Sequence, residues 1–165
     1  MSLYSRTKKA VMTIAIMIVC MNILLWLGLF DSTKDNNSIE VENQLRLDSD
    51  AGNSESQNKL GTLLFKRAKK TKGDFADAIY WFEQANKQEH PFAQMNLAFA
   101  YRKGQGVAIN NEKAIELFYA SGINFLRTNL PDSAKDSVYN INRINSIHPL
   151  KRKLIDAIKQ YESTQ

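Results

Sequence analysis

The chain has 165 residues and a formal charge of +5, from 22 Lys and Arg against 17 Asp and Glu. Residues 1 to 30 hold three cations, Arg6, Lys8 and Lys9, and no acid, so the other 135 residues carry 19 against 17, a net +2. That length suits one domain with a modest core, and so small and unclustered a charge argues against nucleic acid as a partner.

From Ala10 to Phe30 run 21 uncharged residues, AVMTIAIMIVCMNILLWLGLF, with Thr13, Cys20 and Asn22 as the polar interruptions. At ~1.5 Å per residue they are long enough to cross ~30 Å of hydrocarbon, so residues 10–30 are expected to form a single N-terminal transmembrane helix. A cleaved signal peptide usually has an apolar region of about 7 to 15 residues and a small-x-small exit. Here the exit is Trp26-Leu27-Gly28-Leu29-Phe30-Asp31, bulky throughout, which favours an uncleaved signal anchor. Ile18-Val19 before Cys20 do not fit a lipoprotein signal. The basic flank keeps residues 1–9 in the cytoplasm by the positive-inside bias, and Trp26 falls near the outer interface. The folded part is then expected across the membrane, with no thiol beyond Cys20 and hence no disulfide. In a Gram-negative bacterium this describes a single-pass inner-membrane protein with a periplasmic C-terminal domain.

Residues 31–50 read as a polar tether without Gly or Pro, with a short helix from Ser38 to Leu47 available within it. As a flexible chain of that length it reaches on the order of 25 Å.

Residues 51–122 contain a repeat. Ser56-Gln57-x-x-Leu60-Gly61 returns as Ala93-Gln94-x-x-Leu97-Ala98, and 93 − 56 = 37. The first unit runs on through Asp77-Ala78-Ile79-Tyr80-Trp81-Phe82. The second runs on through Tyr101-Arg102-Lys103-Gly104-Gln105-Gly106-Val107 and Lys113-Ala114-Ile115-Glu116-Leu117-Phe118. These residues resemble the Sel1-like repeat family, a relative of the tetratricopeptide repeats. The second unit matches the pattern nearly throughout. The first has Leu64 where the pattern has tyrosine, and a basic segment, Lys66 to Gly73, where it has a glycine turn; this is expected to lengthen a loop by one residue. The resemblance implies an all-α fold, a short right-handed α-solenoid of helix hairpins whose units share a core because none buries its own. Gly61, Ala98, Ala78 and Ala114 are small where helices cross at about 8 to 10 Å, and Trp81, Phe82, Leu117 and Phe118 fill the space between layers. Gly104 and Gly106 end a helix with positive φ.

Residues 123–165 are expected to form a third, degenerate tetratricopeptide-like hairpin that caps the stack. Pro131 and Pro149 stand at helix starts, followed by apolar spacing at Ala134, Val138, Ile141 and Ile144, then at Leu154, Ile155 and Ile158. Gly122, Phe125 and Ala134 fall at tetratricopeptide offsets, and Lys151, Arg152 and Lys153 give the cap a soluble face.

No pattern of catalytic or ligating residues emerges. His90 and His148 each precede a proline and read as turn residues, far from any cysteine or carboxylate cluster, so neither metal nor cofactor is expected. Gly104-Gln105-Gly106 lacks the strand and the Gly-Lys-Ser/Thr of a phosphate loop, and no Gly-x-Ser-x-Gly elbow occurs. The expected functional surface is a groove lined by the first helix of each unit: Asn58, Thr62 and Phe65, then Phe92, Met95, Phe99 and Arg102. Phe92, Met95 and Phe99 form one apolar stripe, open to a partner or covered by the third hairpin. A second surface is the basic patch Lys66, Arg67, Lys69, Lys70 and Lys72, suited to an acidic partner or anionic lipid. The sequence thus describes a membrane-anchored, non-enzymatic scaffold for a protein or peptide partner. The alternative, implied by proposals for some Sel1-like proteins, is a hydrolase acting on cell-wall or peptide material.

Overall fold

The computed structural model describes residues 3–26 and 32–165. Every regular element among them is helical: α1 (Leu3–Trp26), α2 (Ser32–Asp50), α3 (Ser54–Thr71), α4 (Ala76–Lys87), α5 (Pro91–Lys103), α6 (Asn111–Arg127), α7 (Pro131–Ile144) and α8 (Pro149–Ser163). The chain divides into two units, Met1–Val41 and Glu42–Gln165.

In the first unit the described side chains of α1 are those of residues 11–23, and all are exposed. They include nine large apolar ones, from Val11 to Ile23, as well as Cys20. Among the described residues no helix is long and apolar enough to cross a membrane. The expected span, 10–30, extends beyond those side chains, and its end, residues 27–30, lies outside the described residues.

The expected tether is helical from Ser32 onward, and its second half belongs to the folded unit. No glycine or proline interrupts it before Gly52, where φ is 92°. Glu42 accepts from Arg46 one turn on, at 2.9 Å, and from Arg67 of α3 at 2.5 and 3.2 Å. Those hydrogen bonds, led by the one from Arg67, hold the Glu42 carboxyl below its ordinary value. Leu45 packs against the core, and Ser49 is buried, its carbonyl accepting from Gln57 at 3.1 Å. From Glu42 to Ser49 the helix is thus held against the rest of its unit by these partners.

The repeats form as the small residues require. Gly61 of α3 faces the ring of Phe82 on α4 so closely that a Cβ there would lie 2.7 Å from it. Ala78, Ala98 and Ala114 are buried at the equivalent crossings, and Leu60, Phe82, Leu97, Phe118, Phe125, Ile141 and Leu154 join one continuous core from α3 to α8. The basic segment after Leu64 lengthens α3, not a loop: the helix continues to Thr71 and closes on Lys72, left-handed at φ 53°. Gly104 and Gly106 take φ of 67° and 78° and turn the chain out of α5.

The third hairpin is shared. α7 packs far more extensively on α6 than on α8, while α8 lies against both. α6 therefore ends the second repeat with its first half and opens the next pair with its second, where Gly122 meets Leu154 and Phe125 is fully buried. The tetratricopeptide offsets of Gly122, Phe125 and Ala134 mark this α6–α7 pair, so the boundary expected at 123 falls within a helix, and α8 is the cap.

Overpacking a close crossing costs about 1–3 kcal/mol and emptying an aromatic site about 3–5 kcal/mol. Gly61→Val should lower the urea midpoint of the full-length chain, and Phe118→Ala should lower it further. Unchanged stability for Gly61→Val would mean that α3 and α4 do not meet so closely.

Candidate functional site

Two first helices of successive repeats, α3 and α5, present matching faces. Phe65 and Lys66 lie three and four residues beyond Thr62 on α3, and Asn96, Phe99 and Lys103 follow one another at three and four on α5, so each set falls on one side of its helix. With Phe82 of α4 and Gln105 of the turn after α5, they line a cavity of about 240 Å³. Phe65, Phe82 and Phe99 are its aromatic lining: the Phe65 and Phe82 ring centroids are 6.2 Å apart, and Phe99 stands edge-on to Phe118 at 5.1 Å. Phe65 also packs on Phe75 at 4.8 Å. The rim carries Lys66 and Lys103, and 103 − 66 = 37, so the two cations occupy the same register one repeat apart. No Asp or Glu lines the cavity, and α5 contains no acidic residue.

The residues expected in a groove divide. Thr62, Phe65 and Phe99 line the cavity. Asn58 is buried and joins the two helices, accepting from Asn96 Nδ2 at 3.1 Å. Met95 is half-buried against the core. Phe92 leaves the stripe altogether: it meets Phe125 edge-on at 4.8 Å, although 44 % exposed. Arg102 turns towards α7, with Asn140 Oδ1 at 3.5 Å and its guanidinium 5.1 Å from the Phe99 ring centre. Burial, and then the nearby Arg143 charge, push its pKa below the ordinary value. No residue of α7 or α8 lines the cavity, so the third hairpin does not cover it.

The basic patch divides too. Lys66 belongs to the cavity, Arg67 is paired with Glu42, and Lys69, Lys70 and Lys72 are exposed at the end of α3. Asn96, Lys103 and Gln105 lie outside the groove expected from sequence, and Phe82 is expected there only as filling between layers. The signal for Lys103 was the repeat period itself, counted from Lys66.

The histidines are turn residues with a further job. His90 Nδ1 accepts the Ala93 N–H at 3.3 Å and caps α5; Nε2 therefore carries the ring proton and donates to Glu55 of α3 at 2.8 Å. His148 repeats this at α8, accepting from the Leu150 N–H at 3.2 Å and reaching Glu112 of α6 at 3.1 Å. Each histidine ties the start of one helix to the start of another 35 or 36 residues back. The repeat glutamines serve the same purpose inside: Gln57 accepts from Gln88 at 3.0 Å, and Gln94 from Asn124 at 3.0 Å. Among the described residues, no group of three or more His, Cys, Asp or Glu is placed to hold a metal ion.

The hydrogen bond from His90, followed by that from Lys59, holds the Glu55 carboxyl below its ordinary value of 4.5. The folded state therefore binds fewer protons than the unfolded one, so this contribution is complete above 4.5 and disappears as pH falls through the lower folded value. With Glu55 54 % exposed, it amounts to a few tenths of a kcal/mol, roughly that of an exposed pair. Thermal melts should show Glu55→Gln slightly less stable than the parent at neutral pH and level with it in strong acid. A deficit that persists unchanged in acid would mean that the pair contributes nothing through charge.

Comparison with known families places the fold. The Sel1 repeat model matches residues 54–90 and 91–121. A search of curated proteins found no match. The first stretch covers α3 and α4 and the second α5 with the first part of α6, so the chain carries two adjacent Sel1 repeats.

Proposed function

We propose that this protein is a membrane-anchored scaffold whose repeats hold a protein or peptide partner in the cavity between α3 and α5. The observation that carries this reading is the cavity itself, an aromatic recess rimmed by cations at one register of two successive Sel1 repeats. Sel1 repeats generally serve as non-catalytic interaction scaffolds. In this reading residues 10–30 hold the chain in the inner membrane of a bacterium, the N-terminus is cytoplasmic and the repeats are periplasmic. Supporting it are the uncharged run, the flank of Arg6, Lys8 and Lys9, and an α1 whose described apolar side chains have no protein cover. Lipid would supply that cover at far lower free energy than water.

Two experiments on the full-length chain in intact cells test the proposal. A photoreactive residue replacing Thr62 should trap one discrete partner, and the same residue replacing the exposed Tyr80 should not. The product should vanish with Phe99→Glu while the helical spectrum is retained; equal trapping from both positions would contradict the cavity as the partner site. A reporter fused after Gln165 should be active only outside the cytoplasm, and cytoplasmic activity would refute the orientation.

A further inference from the structure

We infer that the partner segment is an acidic peptide with one large apolar side chain, that side chain filling the aromatic recess while flanking carboxylates meet Lys66 and Lys103. The inference rests on reading the cavity as a partner site and adds the chemistry that site selects. Size comes first. About 240 Å³ is below the roughly 300–1,000 Å³ of small-molecule pockets, so the recess admits a single side chain and not a whole metabolite. Its lining of Phe65, Phe82 and Phe99 makes that side chain apolar or aromatic.

Charge then sets what flanks it. Among the described residues neither Lys66 nor Lys103 has a carboxylate partner, although ion pairs are common elsewhere in the domain. Arg67, the neighbour of Lys66, is already neutralised by Glu42 of α2. Lys103 sits 5.9 Å from the Phe99 ring centre, so the cation lies at the mouth of the aromatic recess. Arg102 and Arg143 add further positive charge beside α5, and burial and mutual repulsion both work against the Arg102 cation. A surface that gathers cations at a repeat register without internal counter-charge is complementary to an anion. Gln105, whose side chain makes no hydrogen bond among the described residues, is free to pair with a peptide backbone. A recess one side chain deep favours a chain threaded between the helices over the flat head-group surface of a bilayer.

The test is selection of a displayed random peptide library on the full-length chain in detergent. The expected result is enrichment of peptides with one Phe, Tyr, Trp or Leu flanked by Asp or Glu. The selected peptide should bind Lys66→Glu/Lys103→Glu on the order of tenfold more weakly, as the loss of two exposed charge pairs allows, and added salt should weaken its binding to the parent. Both lysines are exposed, so this variant leaves the core intact. No enrichment, enrichment of neutral or basic peptides, or full binding by the double variant would overturn the inference. If neutral peptides are selected and Phe99→Glu abolishes their binding, the cavity remains a partner site and only the acidic chemistry falls. In phosphatidylglycerol bilayers, a photoreactive residue at Gln105 should crosslink the selected peptide. Crosslinking to lipid instead, lost in the double variant, would assign the cations to the membrane surface and overturn the proposal.

Discussion

The folded unit depends on how closely α3 and α4 can approach. Gly61 lets the ring of Phe82 rest against the backbone of α3, and Ala78 keeps the facing surface equally small. Where a helix pair closes this tightly, its aromatic side chains are displaced sideways into the gap between layers, and there they form both the core and the floor of the cavity. Phe82 plays both parts: it is 2 % exposed, yet it is one wall of the recess between α3 and α5. The cavity is therefore a consequence of the crossing. A bulkier residue at 61 would alter the site as much as the fold.

Polar side chains then fix the layers in register. Hydrophobic burial is non-directional and would tolerate a sliding stack, whereas a buried amide left unpaired costs about 1–3 kcal/mol. Gln57 closes such a contact with Gln88 at the end of α4 and Gln94 with Asn124 of α6, and among the described residues no buried side-chain nitrogen or oxygen lacks a partner. His90 and His148 do the same at the solvent edge, each capping a helix while reaching back to a glutamate at the start of another. The device recurs although the second instance joins α6 to α8. That recurrence fits α6 acting as the opening helix of a further pair, as its extensive packing on α7 also indicates.

The fold was legible in the sequence to the extent that it depends on short-range pattern. Small residues, aromatics and prolines at fixed offsets announce helix crossings and helix starts, so Gly61, Ala98, Pro131 and Pro149 lie where their spacing placed them. What was not legible depends on contacts between distant residues. Residues 42–50 look like part of a solvated linker until Arg67 supplies the partner for Glu42. The Phe92-Met95-Phe99 stripe is a true helical face, but seven residues of helix span about 10 Å, so its ends meet different neighbours. Phe92 is taken by Phe125 and only Phe99 reaches the cavity. Nothing within α5 itself marks Lys103; only its offset of 37 from Lys66 does.

Since crossing and cavity are one feature, the most direct test is the energetic coupling between Gly61 and Phe82. A double-mutant cycle with Gly61→Ala and Phe82→Leu, followed by urea unfolding of the full-length chain, measures it. The account predicts that the smaller, more mobile leucine relieves the strain of the added methyl group, giving a coupling of about 0.5–3 kcal/mol. Strictly additive effects would contradict the close crossing on which both the core and the cavity rest.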